Sequence, residues 1–226
     1  MKPNALLRLA ALGLAASLAL TGCYDSPLGP TWKTRVMAVH ASPDAPGVDL
    51  LVDGTVAGTN LTYPDNTGYL TVKPGTRNLK VNVTGTTTTV IDANLKLQRN
   101  TSYTVFATGA VANIAPLVLV DDLSLPAAGK AHVRFVHLSP DAPAVDVAVQ
   151  GGPVVFGNQA FRQSTPFTPL AAGTYDLEVR LAGTNTVVLP LPGITLEAGK
   201  VYTVFAKGFV GGTGAQVLGA QIIVNR

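Results

Sequence analysis

The chain has 226 residues, of which 47% are hydrophobic and 13% charged, and its formal net charge at pH 7 is +3. Lys2 and Arg8 lie in the N-terminal segment, and without them the acidic and basic residues almost balance. No cluster of Lys and Arg suggests nucleic-acid binding, so we predict no nucleic-acid partner. The single cysteine excludes an intramolecular disulfide.

Residues 1–22 have the pattern of a secretory signal peptide, with a basic start and an apolar run over 9–20. That run is shorter than the roughly 20 apolar residues that a membrane-spanning helix needs. The tetrapeptide Leu20-Thr21-Gly22-Cys23 resembles the lipobox of bacterial lipoproteins. This resemblance implies cleavage before Cys23 and attachment of acyl chains such as palmitate to it. The alternative is an ordinary cleaved signal peptide followed by an unrelated cysteine.

Residues 23–32 are rich in Pro and Gly and are predicted to be a lipidated tether. Several acyl chains at about 0.8 kcal/mol per buried methylene would hold the protein stably at a membrane. Tyr24, rather than Asp, follows the cysteine, which resembles the default for export to the outer membrane. We therefore expect an extracytoplasmic protein of the cell envelope, anchored by lipid at the outer membrane.

The rest of the chain contains an internal repeat. The segment His40–Pro46 (HASPDAP) returns as His137–Pro143 (HLSPDAP), and Tyr103–Ala107 (YTVFA) returns as Tyr202–Ala206. Each copy is long enough to fold as a domain. The predicted parts of the mature chain are the tether (23–32), a first repeat (33–123), a linker (124–129) and a second repeat (130–226).

Both repeats have the pattern of β-strands. Residues 79–84 and 177–181 alternate apolar and polar side chains, which is typical of a sheet with one buried face. Asp53-Gly54 is a tight-turn signal. No segment after residue 22 has the 3.6-residue period of an amphipathic helix. We predict an all-β protein with two tandem β-sandwich domains, and both an immunoglobulin-like and a transthyretin-like topology remain open.

The repeated string H-x-S-P-D-A-P-x-V-D resembles a bacterial family known as domain of unknown function 4397. The resemblance covers both repeats. It implies secreted or surface-anchored β-domains, often in tandem, and brings no established activity.

The motif is predicted to form a rigid corner between two strands, because each proline keeps the preceding residue away from helical dihedral angles. Ser and Asp side chains can bond to nearby backbone groups in such a turn. The candidate residues for a ligand site or a structural corner are His40, Ser42, Asp44 and Asp49 in the first repeat and His137, Ser139, Asp141 and Asp146 in the second.

A His, a Ser and an Asp in one motif invite a comparison with a catalytic triad. In a triad the imidazole lies between the nucleophile and the carboxylate. The histidine and the serine of this motif are two residues apart on an extended strand, which does not favour that arrangement. The aspartates could supply oxygen ligands to calcium, although no calcium-loop motif is present. We predict a non-enzymatic envelope lipoprotein without a cofactor, which acts as a structural or interaction module toward an envelope protein or glycan. The alternative is a protein that binds a small molecule or a metal ion such as calcium at these corners.

Overall fold

The computed structural model describes residues 33–226, which belong to one compact unit. The predicted signal peptide, the tether and Cys23 lie outside the described residues. Among residues 33–226, no helix is long and apolar enough to cross a membrane.

The first repeat contributes two four-stranded sheets. Its strands are β1 (Arg35–Ala41), β2 (Val48–Val52), β3 (Thr55–Leu61), β4 (Asn66–Thr71), β5 (Gly75–Val83), β6 (Thr89–Leu97), β7 (Ser102–Thr108) and β8 (Ala115–Asp121). The inner sheet has the order β4-β1-β7-β8, and the outer sheet has the order β3-β2-β5-β6.

The second repeat has the same arrangement. Its strands are β9 (Lys130–His137), β10 (Val145–Val149), β11 (Val154–Gln159), β12 (Thr168–Ala171), β13 (Gly173–Leu181), β14 (Val187–Leu196), β15 (Val201–Lys207) and β16 (Gly219–Val224). The inner sheet has the order β12-β9-β15-β16, and the outer sheet has the order β11-β10-β13-β14. The predicted all-β fold with two sandwiches is therefore confirmed.

The strand order distinguishes the two topologies that the sequence left open. In an immunoglobulin-like sandwich the first two strands are neighbours in one sheet. Here β1 and β2 lie in different sheets, and β1 pairs in parallel with β7, as β9 does with β15. This order favours the transthyretin-like alternative.

The central strands of the inner sheets are apolar on both faces. On β1, Val36 and Ala38 point into the first sandwich, while Met37 and Val39 point toward the second repeat. Every residue of β7 is buried. A strand without an exposed face must be covered on both sides, so the inner sheet of each repeat needs a partner beyond its own sandwich.

The two inner sheets cover each other. A hydrophobic cluster between them contains Met37 and Phe106 from the first repeat and Val136 and Phe205 from the second. The rings of Phe106 and Phe205 meet edge to face, with their centroids 5.6 Å apart. The unit therefore has three hydrophobic clusters, one inside each sandwich and one between the repeats.

A buried ion pair crosses this contact between the repeats. The Arg134 guanidinium on β9 lies 2.6 Å from the Asp121 carboxylate at the end of β8, and their side chains are 3% and 0% exposed. Tyr69 and Thr104 donate hydrogen bonds to the same carboxylate. Burial and the Asp121 charge raise the pKa of Tyr69, so its hydroxyl keeps its proton and donates.

The ion pair can be tested with residues that the chain itself uses at the matching positions. Arg134→Met introduces the residue type of Met37 and leaves the Asp121 carboxylate buried without its counter-charge. We expect a loss of about 3–5 kcal/mol in the free energy of unfolding, measured with urea. The double variant Arg134→Met/Asp121→Asn, which copies Asn225 of the second repeat, should recover most of that loss.

A control is the exposed ion pair of Lys80 with Asp92, whose atoms lie 3.1 Å apart. Lys80→Met should cost less than about 1 kcal/mol, because exposed pairs contribute little. If the losses in free energy of unfolding from the two single changes simply add in the double variant, Arg134 and Asp121 are not energetically coupled.

Candidate functional site

The two repeated motifs lie at matching places in the fold. The first corner, residues 42–47, connects β1 to β2, and the second corner, residues 138–144, connects β9 to β10. Each corner carries the chain from an inner sheet to an outer sheet, at one end of the sandwich. The sequence-based prediction placed the motif between two strands, and its side chains now have defined contacts.

Both histidines are fully buried behind their corners. The ring Nε2 of His40 lies 2.9 Å from the carbonyl oxygen of Pro46, and that of His137 lies 3.0 Å from the carbonyl oxygen of Pro143. A carbonyl only accepts, so Nε2 carries the proton and donates it. Burial lowers the pKa of both rings, which keeps them neutral.

Both serines are also buried, and they tie the corners to the loops that follow β7 and β15. The Ser42 hydroxyl donates to the carbonyl of Gly109 at 2.6 Å, and the Ser139 hydroxyl donates to that of Gly208 at 2.7 Å. Gly208 has φ +84°, and a Cβ there would lie 2.2 Å from a backbone oxygen. Glycine is therefore required where the serine finds its acceptor.

The first aspartate of each motif anchors the same loop from its other side. A carboxylate oxygen of Asp44 accepts from the backbone N–H of Val111 at 2.8 Å, and one of Asp141 accepts from that of Val210 at 3.0 Å. Serine and aspartate together thus fix the loop that follows β7 or β15 to the corner of its repeat.

The second aspartate of each motif fixes the outer sheet. Asp49 accepts from the backbone N–H of Asn60 at 2.8 Å, and Asp146 accepts from those of Asn158 at 2.6 Å and Gly183 at 2.9 Å. The bond from Asn60 is the main cause that lowers the pKa of Asp49. Both asparagines have left-handed backbone angles, which expose their N–H groups to the carboxylate.

All eight candidate residues therefore act within the protein as hydrogen-bonding groups of the two corners. Histidine and serine donate to different carbonyls, rather than forming the serine–histidine contact of a catalytic triad. The aspartates use carboxylate oxygens to accept backbone N–H groups. Within residues 33–226, no three His, Cys, Asp or Glu side chains are grouped closely enough to hold a metal ion. The calcium alternative gains no support from this geometry.

Sequence reasoning missed the buried polar network between the repeats. Its signal is present in the repeat alignment, because Arg134 stands where the first copy has the apolar Met37. A charge at an otherwise apolar strand position needs a buried counter-charge, which Asp121 provides.

Comparison with known proteins gives one family. The profile described as "Domain of unknown function (DUF4397)" matches residues 34–148 and 144–222. These two adjacent matches are consistent with tandem domains and cover most of the chain. No curated protein sequence matches the chain.

The buried histidines predict that stability depends on pH near neutrality. Unfolding returns both rings from a lowered pKa to the ordinary value of 6.5. Below pH 6.5 the unfolded chain then binds more protons than the folded chain. The contribution of the two histidines to the free energy of unfolding is therefore fully present above pH 6.5 and is lost as the pH drops below it. The melting temperature should therefore decrease as the pH is lowered from about 7.5 to about 5.5.

The variant His40→Gln/His137→Gln should flatten this slope, although its melting temperature at neutral pH will be lower. Each single variant should remove about half of the slope. Asp49, Asp53, Asp92 and Asp122 have a pKa below 3.8 and leave this pH window unaffected. An unchanged slope in the double variant would show that other groups control the pH dependence.

Proposed function

We propose that this chain, which belongs to the domain of unknown function 4397 family, is a non-enzymatic lipoprotein of the cell envelope. It is anchored through Cys23 at the outer membrane and serves as a structural or interaction module toward another envelope component. The observation that carries the proposal is the use of the whole repeated motif for internal hydrogen bonds.

The motif is the most specific feature of the sequence, and its chemical groups serve the architecture. Ser42 and His40 donate to backbone carbonyls, and Asp44 and Asp49 accept from backbone N–H groups. The second corner repeats the pattern. Residues placed in this way stiffen the end of a sandwich, which supports a role in presenting surfaces rather than in transforming a substrate.

The contact between the repeats also supports a presenting role. Because the two inner sheets bury each other, the repeats form one body that offers its outer sheets for contact. The outer face of the first outer sheet carries a polar patch of Asn78, Lys80, Asp92 and Asn94, which are connected by hydrogen bonds and an ion pair. Such a surface suits a polar partner, such as an envelope protein or a glycan.

Acylation of Cys23 is the first test of this proposal. Cells grown with a labelled palmitate analogue should incorporate the label into the protein and retain it in the membrane fraction. Cys23→Ser should abolish labelling, because the thiol is the acyl acceptor. Ser26→Ala, a change in the same tether, should leave labelling intact. An unlabelled parent protein would refute the lipid anchor.

The interaction role can be tested by photo-crosslinking in intact envelopes. A photoreactive residue at Asn94, in the polar patch, should give a discrete adduct with a protein or glycan. Thr195, an exposed position on the outer sheet of the second repeat, provides the matched comparison. An adduct that also forms with the purified protein alone, or none at either position, would contradict the proposal.

A further inference from the structure

The second repeat contains a large cleft beside its corner. Its volume is about 480 Å³, and it opens between the inner and outer sheets at the end of the sandwich. Ala142 lies at the corner side, Ala206 on the inner sheet and Val188 on the outer sheet, while Val210 and Leu218 belong to the loop that closes the end.

A cavity in the first sandwich is much smaller than this cleft. Its volume is about 30 Å³, and its lining includes Val48, Val81, Ile91 and Ala107. The same strand positions in the second repeat line the large cleft and are Val145, Val179, Leu189 and Ala206. Other residues around the small cavity, such as Leu50 and Leu79, match Val147 and Leu177, which line a separate interior cavity of about 140 Å³ in the second repeat. These strand positions thus border larger spaces in the second repeat than in the first.

The loop between the last two inner-sheet strands also differs in length between the repeats. It covers 109–114 in the first repeat and 208–218 in the second. In the first repeat, Ile114 and Val90 pack against the hydrophobic core. The matching Leu218 and Val188 line the cleft instead, and Val188 remains 37% exposed.

The longer loop has a fixed shape. The N–H of Phe209 donates to the carbonyl of Gln216 at 2.8 Å, and the N–H of Val210 donates to Asp141 at 3.0 Å. Cβ atoms on Gly208 and Gly212 would lie 2.2 and 2.3 Å from backbone oxygens. Glycines therefore permit a close-packed loop, so the cleft is formed before any ligand arrives.

The lining restricts the chemistry of a ligand. None of the described lining residues is charged, and most are Val, Leu or Ala. The two polar members are His137 and Ser139, whose donors already bond to the carbonyls of Pro143 and Gly208. Binding would thus come from removing apolar surface from water. A charged ligand would lose its hydration without compensation.

We propose that this cleft is a binding site for a small, neutral and predominantly apolar molecule. Its volume lies in the range of roughly 300–1,000 Å³ that is common for small-molecule sites. The site is independent of the proposed envelope role, because it uses the interior end of the second sandwich rather than the outer faces.

The experiment uses residues 33–226, which contain all three hydrophobic clusters, and the neutral fluorescent probe N-phenyl-1-naphthylamine. We expect saturable fluorescence enhancement with a dissociation constant on the order of 10 μM. Ala142→Phe and Val188→Phe each fill part of the cleft and should weaken binding at least tenfold. Ala45→Phe, at the matching position of the first repeat, should leave binding unchanged.

Circular dichroism and thermal melting establish that each variant is folded. Methyl NMR of the parent protein gives an independent location, and probe-induced shifts should concentrate on Val188 and Leu218. Absence of saturable binding, equal weakening by Ala45→Phe, or shifts confined to the separate interior cavity beside Phe135 and Tyr175 would overturn the proposal.

Discussion

The face-to-face burial of the two inner sheets is the constraint on which the rest of the structure depends. Strands β1, β7, β9 and β15 are buried almost throughout, so neither repeat has a complete core without the other. The Phe106–Phe205 contact lies at the centre of this layer. Four sheets therefore stack as one body, and the corners and loops are held at the ends of a shared core.

The same surface of each repeat meets the other, as in a symmetric dimer interface. The Arg134–Asp121 pair makes this meeting selective. Two copies of the first repeat would place Asp121 opposite Met37, and two copies of the second would place Arg134 opposite Asn225. Only pairing of unlike repeats satisfies both charges, so the ion pair favours association within the chain over association between chains.

The sequence predicted the sandwiches well because half-buried strands such as β5 and β13 show a period of two. It left the topology open, because strand order depends on which apolar faces meet. The corners were predictable from their prolines and polar side chains. Their acceptors were not, since the carbonyls of Gly109 and Gly208 lie far along the chain. The cleft was not predicted, because the sequence shows that the second loop is longer but not which residues it packs against.

The unequal interiors of the repeats have a thermodynamic consequence. The second sandwich encloses a cavity of about 140 Å³ in addition to its cleft, whereas the interior cavity of the first has a volume of about 30 Å³. Voids weaken a core, but the hydrophobic layer between the repeats is buried by both halves. The first sandwich can thus stabilise the second through the shared layer. A duplicated domain can therefore tolerate an internal space whose cost in stability a single copy would bear alone.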